Sequence, residues 1–265
     1  MSRPSATLLV ATYNWPEALG AILRSVAAQT LLPREVVIAD DGSGEPTRAL
    51  VRSFAAGFPV PIRHVWQPDE GFRAGQIRNK AVAASSGEYV VQIDGDMVLH
   101  PEFLRDHVEA ARPGRFIGGS RVVLGPEATR RVIAGGPHPG PFSADERNRL
   151  NAVRLPALGR ALARVVTPRS LASIRGCNMS YWRSDFLAVN GYDEAYVGWG
   201  REDTDLVVRL HQHGLERTFF KLRGIAYHLY HDEKSRSQLA RNDELLRRAQ
   251  VGRSPRCERG VSQYL

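Results

Sequence analysis

From Thr7 to about Val123, short apolar runs alternate with stretches of about 10–14 residues that carry helical periodicity, a pattern that predicts βαβ units and a mainly parallel sheet. The predicted strands are Thr7–Thr12, Glu35–Asp40, Ile62–Gln67, Tyr89–Asp94 and Phe116–Val123. Between them Trp15–Ala28 places Ala18, Leu19, Ile22, Leu23 and Val26 on one helical face, and Ala49, Val51 and Phe54 mark a second helix. A third is predicted over Gly75–Ala84 and a fourth over Pro101–Ala111. Ligands of such sheets bind at the carboxyl ends of the strands. Three of those ends are polar here: Thr12-Tyr13-Asn14, Asp40-Asp41-Gly42-Ser43 and Asp94-Gly95-Asp96.

The alternation stops after Val123. Gly125–Pro141 is rich in Gly and Pro and is predicted as a loop, and Leu155–Val166 as an amphipathic helix bearing Arg160 and Arg164. Order returns at Ile174–Tyr181, followed by a turn at Gly191–Asp193, a helix near Glu202–His213 and an apolar run at Ile225–Tyr230. From Asp232 the chain is charged, predicting one helix to Ala249 and then a loose tail.

Composition narrows the class. A length of 265 residues with 43% hydrophobic and 24% charged residues excludes disordered, collagen-like and coiled-coil chains and fits one or two globular domains. No run approaches the ~18 apolar residues of a membrane span, and Met1–Thr7 lacks the pattern of a signal peptide, so a cytoplasmic protein is expected. Cys177 and Cys257 match neither a disulfide framework nor a zinc pair. The net charge is +8, and nine arginines lie between Arg130 and Arg175 against only Asp145 and Glu146. Such an excess suits nucleic acid, an anionic membrane or a phosphorylated small molecule. Without interleaved aromatics, nucleic acid binding is limited to a weak, salt-sensitive and sequence-independent kind. The segment reads either as a patch held against a membrane or a lipid-linked phosphorylated acceptor, or as a solvated helix and loop at the fold's edge.

The polar strand ends carry the candidate chemistry. Asp94-Gly95-Asp96 follows the apolar Tyr89–Ile93, and two hard oxygen ligands there suit Mg²⁺ or Mn²⁺ bridging a diphosphate, the alternative being a solvated turn. In Asp40-Asp41-Gly42-Ser43 an acid can accept from a base N–H or a ribose hydroxyl, while Ser43 and Thr47 can cap the next helix. Arg73, Arg78 and Lys80 stand at and just inside a predicted helix start, where cations oppose the macrodipole and an anionic ligand would explain them better than a basic helix face. In Gly198-Trp-Gly-Arg-Glu-Asp-Thr-Asp205 the glycines free Trp199 to serve as a flat platform for a sugar ring, with neighbouring carboxylates accepting from hydroxyls. A buried core tryptophan and acids placed for the helix dipole are the competing readings.

These motifs, Thr7–Asn14, Val37–Ser43, Gly71-Phe-Arg-Ala74 with Arg78-Asn79, Asp94-Gly-Asp96 and Trp199-Gly-Arg-Glu-Asp203, stand in the order and spacing of family 2 glycosyltransferases. The chain resembles the branch that shares Trp-Gly-x-Glu-Asp with chondroitin polymerases and animal beta-galactosyltransferases, from Thr7 through His228 and least between Gly125 and Arg175. The resemblance implies the α/β nucleotide-diphospho-sugar transferase (GT-A) fold, a mainly parallel central sheet flanked by helices. It implies a single catalytic domain over residues 1–231, divided into a nucleotide-binding half (1–123), a basic insertion (124–175) and an acceptor and catalytic half (176–231), with a C-terminal helix and tail over 232–265.

By the same resemblance Ala11, Tyr13 and Asp40 hold the nucleotide base, and Arg73 and Arg78 lie near the uracil and phosphates. Asp94 sits near the ribose, Gly95 beside it, and Asp96 is the ligand of Mn²⁺ (or Mg²⁺), completed by His228 with His231 as its rival. Asp203 is the general base, Glu202 binds acceptor hydroxyls, Asn178 of Gly176-Cys-Asn-Met-Ser180 lies near the donor sugar, and Trp199 stacks on sugar. The implied reaction is an inverting, metal-dependent transfer from a nucleoside diphosphate sugar, UDP being favoured, to a hydroxyl of a saccharide or glycolipid acceptor, carried out in the cytoplasm with peripheral association at the inner face of the membrane. A nucleotidyltransferase of similar fold is the alternative, although it would need a phosphate loop where this chain has Tyr13-Asn14-Trp15-Pro16. A non-catalytic module binding sugar or nucleic acid is the other.

Overall fold

The computed structural model describes residues 3–137, 146–166, 168, 170–171, 174–232, 237–252 and 254–265. In chain order its elements begin with β1 (Ala6–Thr12), α1 (Pro16–Ala27), β2 (Glu35–Asp40), α2 (Glu45–Ala55), β3 (Ile62–Trp66), α3 (Ala74–Ala84), β4 (Tyr89–Asp94), β5 (Met97–Leu99) and α4 (Phe103–Ala110). There follow β6 (Arg115–Gly118), β7 (Val122–Leu124), α5 (Pro126–Ile133), β8 (Glu146–Arg147), α6 (Pro156–Val165), β9 (Asn178–Trp182) and α7 (Arg183–Ala188). The last are α8 (Glu202–Gln212), β10 (Glu216–Thr218), β11 (Ala226–His228) and α9 (Leu239–Val251).

Successive side chains of a strand face opposite sides of a sheet, and here both sides are covered. Leu8, Val10, Val36, Ile38, Val91 and Ile93 enter one core with Leu19, Ile22, Leu23 and Val26 of α1. Leu9, Val37, Ala39 and Val90 enter the other with Ile77, Ala81 and Val82 of α3 and Leu206, Val207 and Leu210 of α8. The central sheet has the order β10-β6-β9-β4-β1-β2-β3. It is parallel except at β9, which runs antiparallel to β4 and β6. Its register sets Thr12 opposite Asp40 and Ala11 opposite Asp94, so the polar strand ends emerge side by side. A second sheet, β5-β11-β7-β8, pairs His228 with Met97 and thereby brings β11 to the residue following Asp96.

Four expectations need correction, the last of them the tail. Phe116–Val123 is two strands in different sheets, β6 and β7, because the chain leaves the central sheet at Gly118-Gly119-Ser120. The loop expected over Gly125–Pro141 contains α5, whose Ala128, Thr129 and Val132 are buried. The Gly and Pro that suggested a loop stand mainly at its ends, and 138–141 lie outside the described residues. The helix expected from Asp232 begins at Leu239, with 233–236 outside the described residues.

The expected loose tail is docked instead. Asn190, at a left-handed φ of 64°, donates from Nδ2 to the Cys257 carbonyl (2.9 Å) and accepts at Oδ1 from the Ser262 N–H (2.9 Å). Its carbonyl accepts from the Val261 N–H, and Val261 is fully buried. Tyr264 donates to Glu194 at 3.0 Å and lies under the Lys80 ammonium, which braces α3. Apolar periodicity could not reveal this attachment, because polar and backbone groups make most of it.

In the basic segment Arg154 pairs with Asp106 and Glu102, and Arg160 with Glu109, fastening α6 to α4. Among the described residues no helix is long and apolar enough to cross a membrane. If the tail is docked as described, Val261→Ala lowers the unfolding free energy by about 1–3 kcal/mol, the range for emptying a buried aliphatic site. Urea denaturation measures this, and an unchanged midpoint would mean that the tail is loose in solution.

Candidate active site

The strand ends, the start of α3 and the start of α8 enclose a cavity of about 830 Å³. One corner is built by Asp96, after the turn at Gly95, together with β11. Asp96 Oδ2 lies 3.3 Å from His228 Nε2 and 3.1 Å from His231 Nε2, so both histidines reach one carboxylate. Their donor atoms fall within 4.8 Å of one another. Asp96 Oδ1 and His228 Nδ1 are buried without hydrogen-bond partners. One carboxylate and two imidazoles converging on one point, with Asp96 Oδ1 and His228 Nδ1 unsatisfied, fit a divalent first-row ion; the carboxylate suits a hard ion such as Mn²⁺ and the imidazoles are compatible with it. Burial holds the His228 imidazole below its ordinary range, which favours the neutral, ligating form. Gly95 is required less for a bend than for space: a Cβ there would stand 2.6 Å from the Ala11 carbonyl oxygen.

The opposite corner is built by the first turn of α8. The Asp203 carboxylate accepts from the Gly176 N–H (2.7 Å), the Tyr192 hydroxyl (3.1 Å) and Arg78 (3.2 Å). Arg78, whose side chain is 4% exposed, also bonds Asp94 at 2.6 Å and lies 4.0 Å from Glu202. Beneath them Gln92 on β4 donates to the Gly176 carbonyl (3.0 Å) and the Tyr192 hydroxyl (2.8 Å). A side chain at 176 would collide with Asp203, since its Cβ would sit 2.2 Å from Oδ1. Glu202 is buried with Oε2 unpartnered, and burial together with the Asp203 charge pushes its carboxyl up to about 8. At neutral pH it is therefore a carboxylic acid and a hydrogen-bond donor.

Of the residues singled out from sequence, Ala11, Tyr13, Arg78, Asp94, Gly95, Asp96, Trp199, Glu202, Asp203 and His228 all line this cavity. Trp199 is neither fully buried nor fully exposed, and it forms part of the wall rather than of the core. Three others are placed differently. Asp40 is fully buried, and its carboxylate meets the Ser43 N–H (2.8 Å) and His64 (2.8 Å). Against the cost of burial these partners hold its carboxyl below the usual range, and Asp41 faces the cavity in its stead. Arg73 turns its guanidinium to Glu70 and offers only its backbone N–H, to Asp41 at 2.9 Å. Asn178 faces inward, donating to the Ser120 and Gly224 carbonyls and meeting His107 at 3.0 Å. Sequence reading missed Tyr192 and Gln92. The Gly191-Tyr-Asp193 turn was the available signal for the first, and a lone polar residue inside the apolar β4 run was the signal for the second.

Residues 7–186 match the family model described as Glycosyl transferase family 2, and residues 157–232 match one described as N-terminal domain of galactosyltransferase. The chain belongs to glycosyl transferase family 2. A validoxylamine A glucosyltransferase from Streptomyces hygroscopicus subsp. limoneus is 31% identical over 231 residues, covering 81% of this chain and 49% of that protein. Chondroitin synthase of Escherichia coli is 24% identical over 245 residues, covering 84% and 34%. The chain thus spans about half of the first relative and a third of the second. The structure of GalNAc-T7 with UDP, GalNAc and Mn²⁺ superposes with a TM-score of 0.65 at 15% identity, over 88% of this chain and 45% of that one. The fold of this family 2 member is the A-type glycosyltransferase fold.

The proton on Glu202 links the site to stability. Its carboxyl titrates at about 8 in the folded chain and at 4.5 ordinarily, so its contribution is full below about pH 4.5 and lost as pH rises through 8. Glu202→Gln, uncharged throughout, is expected to flatten the decline in stability between about pH 4.5 and pH 8 in urea denaturation. An identical decline in the variant would rule out the raised carboxyl.

Proposed function

We propose that this chain transfers a sugar from a nucleoside diphosphate sugar, by preference a UDP-sugar, to a hydroxyl of a saccharide or glycolipid acceptor, with inversion and with a divalent cation. The observation that carries this reading is the meeting, in one cavity, of a firmly held carboxylate, Asp203, with the Asp96, His228 and His231 cluster. Family membership and the UDP and Mn²⁺ held by the structural neighbour support it.

In this reading the acceptor hydroxyl sits at Asp203, whose oxygens are aimed by the Gly176 N–H, Tyr192 and Arg78, and its proton passes to that carboxylate as the oxygen attacks the anomeric carbon. A single base opposite the leaving group gives direct displacement and inversion. Glu202, protonated, donates to an acceptor oxygen. Arg78 sits between Asp94 and Asp203 and offsets the repulsion between them. Ala11, Tyr13 and Asp94 border the nucleotide, with Asp41 taking the place expected for Asp40, and Trp199 offers its face to a sugar ring. Asp96, His228 and His231 would hold Mn²⁺ (or Mg²⁺), which when bound offsets the negative charge of the departing diphosphate. The docked tail and α9 join residues 232–265 to the catalytic unit of 1–231. For the basic segment we favour packing at the fold's edge over membrane attachment, since Arg154 and Arg160 are paired to acids of α4.

Two substitutions test this. Asp96→Ala is expected to abolish Mn²⁺-dependent hydrolysis of UDP-sugars and to weaken UDP binding only when the metal is present, as read by calorimetry with and without Mn²⁺; metal dependence that survives would remove the ligand assignment. Asp203→Asn is expected to retain UDP-sugar affinity while kcat falls by roughly 10²-fold or more. Binding and rate lost to the same extent would assign Asp203 a structural part at the helix start.

A further inference from the structure

Trp199 stands in a stretch of backbone that L-residues avoid. Gly198, Gly200 and Arg201 have φ of 77°, 107° and 81°. Glycine adopts such angles freely, but arginine does so only where its surroundings over-determine it. Here those surroundings are the entry and first turns of α9. Asn242, fully buried, donates from Nδ2 to the Gly200 carbonyl at 2.9 Å and to the Val197 carbonyl at 3.3 Å. The Gln238 side chain fills the space that Gly198 leaves open, since a Cβ there would lie 2.7 Å from Gln238 Cγ. Leu239 stands 3.1 Å from where a Cβ on Gly200 would be, and the Arg201 guanidinium bonds Asp243 at 2.5 Å. On its other side the loop is tied to the α3 entry by the Gly198 N–H donating to the Phe72 carbonyl at 3.0 Å. The helix α9 lies beyond residue 232, where the matched family segments end.

We infer that Asn242 is a positioning residue. With Asp243 it clamps the Gly198–Arg201 loop in its left-handed form, which sets Trp199 against the cavity and starts α8 at Glu202 and Asp203, and so governs affinity for the acceptor sugar. The acceptor part rests on the transferase reading above; the clamp does not. Two amide hydrogens reach two carbonyls at the ends of the loop, so the loss of one side chain releases both attachments at once. Asp243 lies on the surface, and its pair with Arg201 can be removed without emptying the core.

Asn242→Ala and Asp243→Ala, compared with the unaltered chain, test the clamp. Hydrogen exchange by mass spectrometry should show faster uptake across residues 197–203 in both variants, by about tenfold or more for Asn242→Ala, with other segments unchanged. With UDP-glucose and UDP-galactose as donors and p-nitrophenyl β-glucoside as the acceptor probe, the acceptor KM should rise by about tenfold while the donor KM moves less than twofold. Unchanged uptake at 197–203 overturns the clamp. Should Asn242→Ala lose its cooperative thermal transition, the exchange of Asp243→Ala decides the matter alone. Faster uptake with donor and acceptor KM rising together overturns the acceptor role. A wild-type chain that turns over none of a panel of UDP- and GDP-sugars, these two included, overturns the transferase reading and the acceptor role with it, while the exchange comparison still decides the clamp.

Discussion

The site depends on one buried cation. Three carboxyl groups, Asp94, Glu202 and Asp203, crowd the space between the end of β4 and the start of α8, and Arg78 touches or approaches each of them. Taking such acids from water costs several kcal/mol apiece unless charge and hydrogen bonds compensate. Although burial opposes its own charge, the surrounding acids hold the Arg78 guanidinium above its ordinary value, so it never releases its proton. A planar guanidinium can also serve two carboxylates in different directions, which an ammonium does less well. The consequence for architecture is that α3, β4 and α8 cannot shift independently.

That constraint accounts for features elsewhere. The helix α3 must be held against the sheet for Arg78 to be in place, and it is held at its exposed side by Tyr264, through Lys80 and Gln76. Asn79, beside Arg78, donates to the Tyr192 carbonyl at 2.8 Å and accepts from the Tyr192 N–H at 2.8 Å, which fixes the turn that delivers the Tyr192 hydroxyl to Asp203. The corner of Asp96, His228 and His231 is assembled separately, by a small sheet whose strands come from distant parts of the chain.

Much of this was legible in the sequence because parallel strands buried on both faces leave few ways to arrange a βαβ chain. The polar strand ends, the Asp-Gly-Asp turn and the Trp-Gly loop could all be named from it. What escaped has a common cause in side-chain direction. Asp40 and Asp41 are neighbours of the same type, and since successive side chains of a strand point opposite ways, composition cannot tell which faces the cavity; burial and His64 claim the first. Asn178 and Arg73 were placed by motif, but their side chains are drawn off by His107 and Glu70. The paired histidines were read as rivals because the strand end that lets His228 and His231 share Asp96 is a tertiary feature.

The attachment of residues 257–264 also bears on how the protein comes into being. A chain emerging from the ribosome can pair β1, β2, β3 and β4 early, since these strands follow one another closely and fold as successive units. Asn190 and Glu194, however, must wait for partners some seventy positions further on. Until those are made, the turn that carries Tyr192 and the outer face of α3 lack part of their support. Residues 1–123 are thus built to form during synthesis, whereas the alignment of Asp203 with Arg78 is a late event, and a nascent chain would be able to fold before its cavity is complete.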